Sequence, residues 1–555
     1  MPSPRLLAVV VLVAACGGKS PPAAPQAALS SRWSAPAILA PVPADSPYVL
    51  ALVDPVSEAL RAKMMARLDA QLTQSMQKLE GLNGADRSKL EPWARALLAL
   101  TDELRGTKPS QWFEKLGLNA RGRFVLYGLS LWPVLRVDIT DGARLSKVIE
   151  HLLAAGGFPV QQRTLDRRAY WLAAGRDFSF IASVLDREAV AAVVPTATID
   201  AALPLVLGTR APDHPLAATT TVPELLARHK FIGALVAYFD VPNLITILTG
   251  PQPGPLDIPL RAATGPVSPV CRSELDRLAA VVPRVVLGYH HINDNSFDAG
   301  MVFEMPPAIS APLRKLRTAI PEVTARITGH PLLAFGAAAN PNEVIAWLRD
   351  TTRQVHAHPF ACPWFTDLNK ANDELAAKLD KPLPPTWRGV RGFSLTLDDA
   401  SASPPSVTGH LLLAGDRVAD LVTSLAGTVP AVAGIPLARD GRPIALPTKQ
   451  LGLPVSSAHL ALTTDRLVIA AGEGSERRAA EHLITPAPRL SPLVVIAFNA
   501  PRLQKLIASF GQQTGDSLDA LGDTGFTLDI ADQGLELRVW GTEPGAQIAA
   551  PPDKP

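Results

Sequence analysis

Phe231-Ile232-Gly233-Ala234-Leu235-Val236-Ala237-Tyr238-Phe239 runs into Asp240-Val241-Pro242. Nine mostly apolar residues of high β-propensity predict a buried strand. Asp240 can cap a helix by accepting from its free first-turn amides, and Pro is tolerated there because its missing N–H would be unpaired anyway. The predicted helix is Leu244–Leu248. The same device recurs: Tyr48–Val53 into Asp54-Pro55, Leu332–Ala338 into Asn340-Pro341, and Leu493–Phe498 into Asn499-Ala500-Pro501. The last two lead into Val344–Leu348 and Leu503–Ile507.

The stretches between these copies also pair. After the first come Gly122–Phe124, strands through Leu129 and Ile139, then Asp141-Gly142 and a helix. Its Leu145, Val148, Ile149, Leu152 and Leu153 form one apolar face, and Gly156-Gly157 stop it. After the third come Arg391-Gly392-Phe393, strands Ser394–Leu397 and Gly409–Ala414, and a helix with Val418, Leu421, Val422 and Leu425. A predicted hairpin, Tyr170–Ala173 with Phe178–Val184, precedes an Asp186-capped helix ending at Pro195. Its counterpart is His459–Thr463 with Leu467–Ala471 and a helix through Glu476–Leu483. Val285–His290 with Phe297–Glu304, and Gly525–Ile530 with Leu535–Trp540, close the two halves.

The pattern predicts an α+β fold of two tandem lobes, each an antiparallel sheet with amphipathic helices on one face. The expected lobes are 44–305 and 325–545, joined by a helix within 306–324 and followed by a disordered tail, 546–555. Internal duplication is one source of this pattern; two α+β domains sharing only their punctuation is the other. At 555 residues the chain exceeds a single core. It is 47% hydrophobic and 19% charged with net charge +2, and no Lys/Arg run exceeds two, which excludes an electrostatic footprint for nucleic acid.

The N-terminus carries Arg5, the apolar run Leu6–Ala15 and then Cys16. Ten apolar residues are too few to span a bilayer, which takes ~20, and suit the hydrophobic region of a secretory signal. Val13-Ala14-Ala15-Cys16 resembles the lipobox of bacterial lipoproteins. The resemblance implies cleavage of residues 1–15, lipid attachment at Cys16, and a flexible Ala/Pro/Ser-rich tether over 16–43. It implies a body held at the cell envelope, at the outer membrane in preference to the inner because no Asp follows the Cys, and lying in the periplasm or at the cell surface. An ordinary signal with an incidental Cys is the alternative. In that oxidising compartment the two other cysteines, Cys271 and Cys362, read as a disulfide, against two separately buried thiols.

Pro43-Ala44-Asp45-Ser46-Pro47-Tyr48-Val49, the segment from Leu116-Gly117-Leu118 to Tyr127-Gly128, and Asp465–Gly472 resemble uncharacterised bacterial envelope proteins grouped as a domain of unknown function. That resemblance implies no functional residues.

Catalytic motifs are weak. Gly18-Lys19-Ser20 lacks the upstream Gly of a phosphate loop, and Ser75-x-x-Lys78 lacks its Ser-x-Asn and Lys-Thr-Gly partners. Gly472-x-Gly474 follows a hairpin strand and reads as a turn. His290, His291, His356 and His358 are the remaining candidates for metal or acid–base chemistry. The expectation is a non-enzymatic binding or scaffolding module without cofactor, taking an apolar or envelope-derived ligand or an envelope protein. The alternative is an envelope hydrolase or metal-dependent enzyme in which those histidines converge.

Overall fold

The computed structural model describes residues 35–543, apart from 56, 63–64, 66–68, 70–89, 252–253, 328, 383, 385–386, 403–404, 427–434, 453–454 and 512–520. Cys16 with the signal, most of the tether, Ser75 and Lys78, and the 546–555 tail lie outside the described residues. The fold is α+β, with mixed helices and extensive antiparallel sheet. The described chain divides into two compact units: residues 35–279 with 283–294, and 280–282 with 295–543.

The first unit has nine strands: β1 (Tyr48–Leu52), β2 (Phe124–Leu129), β3 (Trp132–Asp138), β4 (Val160–Leu165), β5 (Arg168–Ala174), β6 (Phe178–Val184), β7 (Glu188–Pro195), β8 (Ile232–Asp240) and β9 (Arg284–Ile292). All pairings are antiparallel, in the order β9-β8-β1-β2-β3-β7-β6-β5-β4. The helix Gly142–Gly156 forms as expected. Asp141 accepts from the Arg144 amide, Leu145, Val148 and Leu153 are buried, and Gly157 closes the end at φ 67°, the left-handed region that glycine reaches without a Cβ penalty.

One expectation is corrected. The segment after Asp186 is strand β7, not a helix, and the helix comes later, at Ile199–Leu207. Two partners, β3 and β6, flank Ala189-Val190-Ala191-Ala192-Val193-Val194 and satisfy its backbone on both sides. That tertiary pairing overrides the helix preference of its alanines.

The second unit has ten strands: β10 (Ser296–Glu304), β11 (Leu333–Ala338), β12 (Val390–Ala402), β13 (Pro405–Gly415), β14 (Ile444–Ala445), β15 (Ala458–Leu462), β16 (Arg466–Ala471), β17 (Val494–Asn499), β18 (Asp523–Ala531) and β19 (Gly534–Thr542). Their order is β10-β19-β18-β17-β11-β12-β13-β16-β15-β14, again antiparallel. The core lies between one sheet face and the helix Ser475–Leu483. Leu412, Val468, Ala470 and Val495 pack with Ala479, Leu483, Ile320 and Val323, all of them buried. Fully burying each Val or Leu contributes ~1.5–3 kcal/mol.

The cap device holds at three of its four positions. Asp240 accepts from the Asn243 amide at 3.0 Å, Asn340 from Asn342 at 3.1 Å, and Asn499 from Arg502 at 3.1 Å. After β1, Ser57 and not Asp54 accepts, from the Leu60 amide. Pro341–Ala357 is a full 17-residue helix, partnered by a second helix, Thr366–Leu379. The helix expected between the lobes is shorter, Pro307–Arg314, contains Pro312 and falls within the second unit.

The order β8-β1-β2-β3-β7-β6 in the first unit repeats as β17-β11-β12-β13-β16-β15 in the second. A capped, proline-led helix follows both β8 and β17. The hairpins, however, match one strand later than the sequence suggests. β7 lies beside β3 as β16 lies beside β13, and a helix follows each of them.

Candidate functional site

Side chains alternate between the two faces of a strand, and directly opposed residues share a face. In the second unit this register draws one row across eight strands: Ala299, Val539, Phe526, Ile496, Phe335, Leu395, Leu411 and Ile469. The rows on either side run Met301, Leu537, Leu528 and Val494, and Phe297, Gly541, Thr524, Phe498, Leu333 and Leu397. None of the three rows holds an Asp, Glu, Lys, Arg or His. They are nevertheless incompletely covered: Leu395 is 45% exposed and Val539 42%. Seven strand spacings of ~4.8 Å by two like-facing steps of ~6.8 Å give the three rows a footprint on the order of 450 Å², of which the stretches around Leu395 and Val539 are open.

The first unit has the same feature. Leu287, Ala237, Leu50, Leu126, Leu135 and Ala191 form a continuous row, flanked by Phe239 and Phe180, and the helix Gly142–Gly156 covers one side of it through Leu145 and Ile149 on Val137, Val184 and Ala189. Leu135 is 39%, Phe180 37% and Phe239 53% exposed. Large apolar side chains left exposed on a sheet face, here Leu395 and Val539 in one unit and Leu135, Phe180 and Phe239 in the other, make these stretches candidates for an interaction site.

The charged groups that the sheets carry lie on the opposite faces. Arg136, 1% exposed, donates to Glu188 at 2.6 Å and to the Val206 carbonyl at 2.6 Å. Asp298 accepts from Arg326 at 2.8 Å and from Arg538 at 2.6 Å. Burial pushes the Asp298 carboxyl up, and the hydrogen bonds and charges of the two guanidinium groups more than offset this, so it ends below its ordinary value.

A second constellation sits on the covered face of the second unit. Glu322 lies in a turn at φ 66°, a strained value for a non-glycine residue that persists where its surroundings over-determine it. Its Oε2 is 2.7 Å from His410 Nε2 on β13 and accepts from the Ser394 hydroxyl of β12 at 2.9 Å. Its Oε1 is 2.5 Å from His482 Nδ1 on the helix Ser475–Leu483. The two imidazole rings stack with centroids 3.6 Å apart. Burial raises the Glu322 carboxyl, but the histidine hydrogen bonds and charges prevail and lower it to about 2. His410 is 5% exposed, and its buried Nδ1 has no hydrogen-bond partner. Ligand atoms of Glu322, His410 and His482 all lie within 4.8 Å of one another, the spacing at which three groups can share a metal ion.

The histidines singled out from the sequence are not part of this cluster. His290 packs on Phe231, with ring centroids 4.8 Å apart, and His291 pairs with Asn293 at 2.8 Å. His356 faces Asp373 at 3.4 Å on an exposed surface, and His358 ends its helix. Cys271 and Cys362 are disulfide-bonded. The sequence reading missed Glu322, His410 and His482, although His410 left one signal: it shares the buried parity of Leu412 and Ala414 at the start of the apolar run Leu411–Ala414.

No family model matches the chain, and no curated protein matches it. Two solved structures, crystal forms IV and III of TP0453, are similar to it at 10% identity. They cover 39% and 42% of this chain and 76% and 83% of their own, each with a TM-score of 0.18, too slight a likeness to carry an argument. Among the described residues no helix is long and apolar enough to cross a membrane.

Proposed function

We propose that this chain is a lipid-anchored envelope protein, attached through Cys16, whose two-lobed body binds the acyl chains of an envelope amphiphile without catalysing a reaction. The observation that carries the binding role is the pair of apolar sheet faces, free of charged side chains yet incompletely covered. Acyl chains fit such a lining because they bring no polar group that would need a partner there. The repeated strand order supports an internal duplication, which would supply two faces of one kind. The anchor and the envelope location rest on the resemblance of Val13–Cys16 to a lipobox. In an alternative reading, a scaffold, the same faces would be covered by an envelope protein.

The test uses the exported full-length chain with Cys16→Ser, so that no anchor lipid is attached. A fluorescent polyene fatty acid is titrated in, and native mass spectrometry is run on the same preparation. Saturable binding, displaced by unlabelled fatty acid and weakened at least tenfold by Leu395→Asp or Leu135→Asp, is the expected result. No saturable binding together with a bare polypeptide mass would overturn the acyl-chain reading and leave the scaffold. These partly exposed positions tolerate substitution at little cost in stability, so the fold serves as its own control.

A further inference from the structure

We infer that Glu322, His410 and His482 form a binding site for a zinc-like divalent transition metal. Two imidazole nitrogens and one carboxylate oxygen are a borderline donor set. It suits Zn²⁺, Co²⁺ or Cu²⁺ and does not suit Ca²⁺ or Mg²⁺, which take oxygen cages. Three elements bring these groups together: the turn at 321–322, strand β13 and the helix Ser475–Leu483. They are separated by 88 and 160 residues in the chain, so their meeting is a product of the fold and not of a local motif.

Hydrogen bonding alone accounts poorly for the arrangement. Both histidines turn a nitrogen toward one carboxylate while their rings stack, so protonating both would set two like charges about 3.6 Å apart. His410 is 5% exposed, so a proton on it would add a charge at a buried position. A divalent cation supplies in one ion the two positive charges that the protons would bring, and the ring nitrogens become ligands in place of donors. The Ser394 hydroxyl, which donates to Glu322 Oε2, then orients the carboxylate from the second coordination sphere. Three protein ligands leave a fourth position for water or an exogenous group. His482 is the most accessible member, with its side chain 27% exposed, and it marks the side from which an ion enters.

The test is a Zn²⁺ titration of the full chain after chelator treatment, in competition with a fluorescent zinc indicator, alongside a Co²⁺ absorption spectrum. One tight equivalent per chain is expected, with the visible bands of four- or five-coordinate Co²⁺. Glu322→Gln and His482→Gln should each weaken Zn²⁺ at least tenfold, while a His291→Ala, His356→Ala double variant retains it. Affinity should fall from pH 7.5 to pH 5.5 as protons compete for the imidazoles. Equal Zn²⁺ affinity in the wild type and both cluster variants would overturn the site. So would the absence of intense Co²⁺ bands from the wild type, a readout that depends on no variant folding.

Discussion

Glu322→Gln keeps the side-chain volume and removes the charge that both histidines address. The folded carboxyl is held near 2 against an ordinary 4.5, with burial opposing and the His410 and His482 interactions prevailing. At 1.36 kcal/mol per pH unit this corresponds to about 3 kcal/mol of stability. Because the folded value lies below the unfolded one, the stabilisation is complete above about pH 4.5 and is lost as pH falls toward 2. In chelator, so that no metal contributes, urea denaturation should find Glu322→Gln less stable than wild type by about 3 kcal/mol near pH 5.5. The gap should narrow to about 1.5 kcal/mol near pH 3. Other carboxylates titrate in this window in both proteins, so the difference between the two curves is the relevant quantity. A gap that stays constant with pH, or a variant as stable as wild type at pH 5.5, would refute the claim that the ionised carboxylate holds the cluster.

Two further outcomes follow from buried or covalent features. Arg136→Ala removes the partner of Glu188 and two hydrogen bonds to the carbonyls of Leu205 and Val206, and should cost about 3–5 kcal/mol by chemical denaturation. Arg136→Met with Glu188→Gln should recover a large part of that loss, since no carboxylate is then left alone and the buried stem is retained. Cys271→Ser opens a covalent loop of about ninety residues, which the chain-entropy account values at about 4–5 kcal/mol. Guanidinium unfolding with and without reductant should show the same loss in wild type and no response in the variant. A wild type indifferent to reductant would contradict it.

How much of this was legible depended on whether the signal was local. Caps are local: Asp141, Asp240, Asn340 and Asn499 each accept from an amide two or three residues on, so residue type and position sufficed. The Gly142–Gly156 helix was equally plain, because its apolar face and its terminal glycine lie within one stretch of chain. Strand β7 was not, since Ala189–Val194 is extended only by virtue of partners around fifty and ten residues away, β3 and β6. The metal cluster lay further out of reach, because Glu322 sits in a turn with no motif and its partners come from distant elements.

The apolar faces show the same limit in another form. β13 reads His410-Leu411-Leu412-Leu413-Ala414, and Leu412 is 0% exposed while Leu411 is only half-buried. Leucine on both sides conceals the alternation that normally separates a covered face from an open one. What separates them is packing: Ala479 and Leu483 close over the Leu412 side, whereas on the other side Val418 and Val422 cover only the Leu413 and Ile469 end, and Leu395 stays 45% exposed. A soluble sheet with one open face normally turns polar residues outward, because leaving leucines in water forgoes ~25 cal/mol for each Å² not buried. Keeping both faces apolar is therefore reasonable only if the open one is covered during function. The histidine on the closed face points the same way: His410 takes a place where an aliphatic residue would pack without an unpaired nitrogen. Each anomaly sets a local stability cost against the binding role proposed for it, an acyl chain on the open face and a metal ion on the covered one.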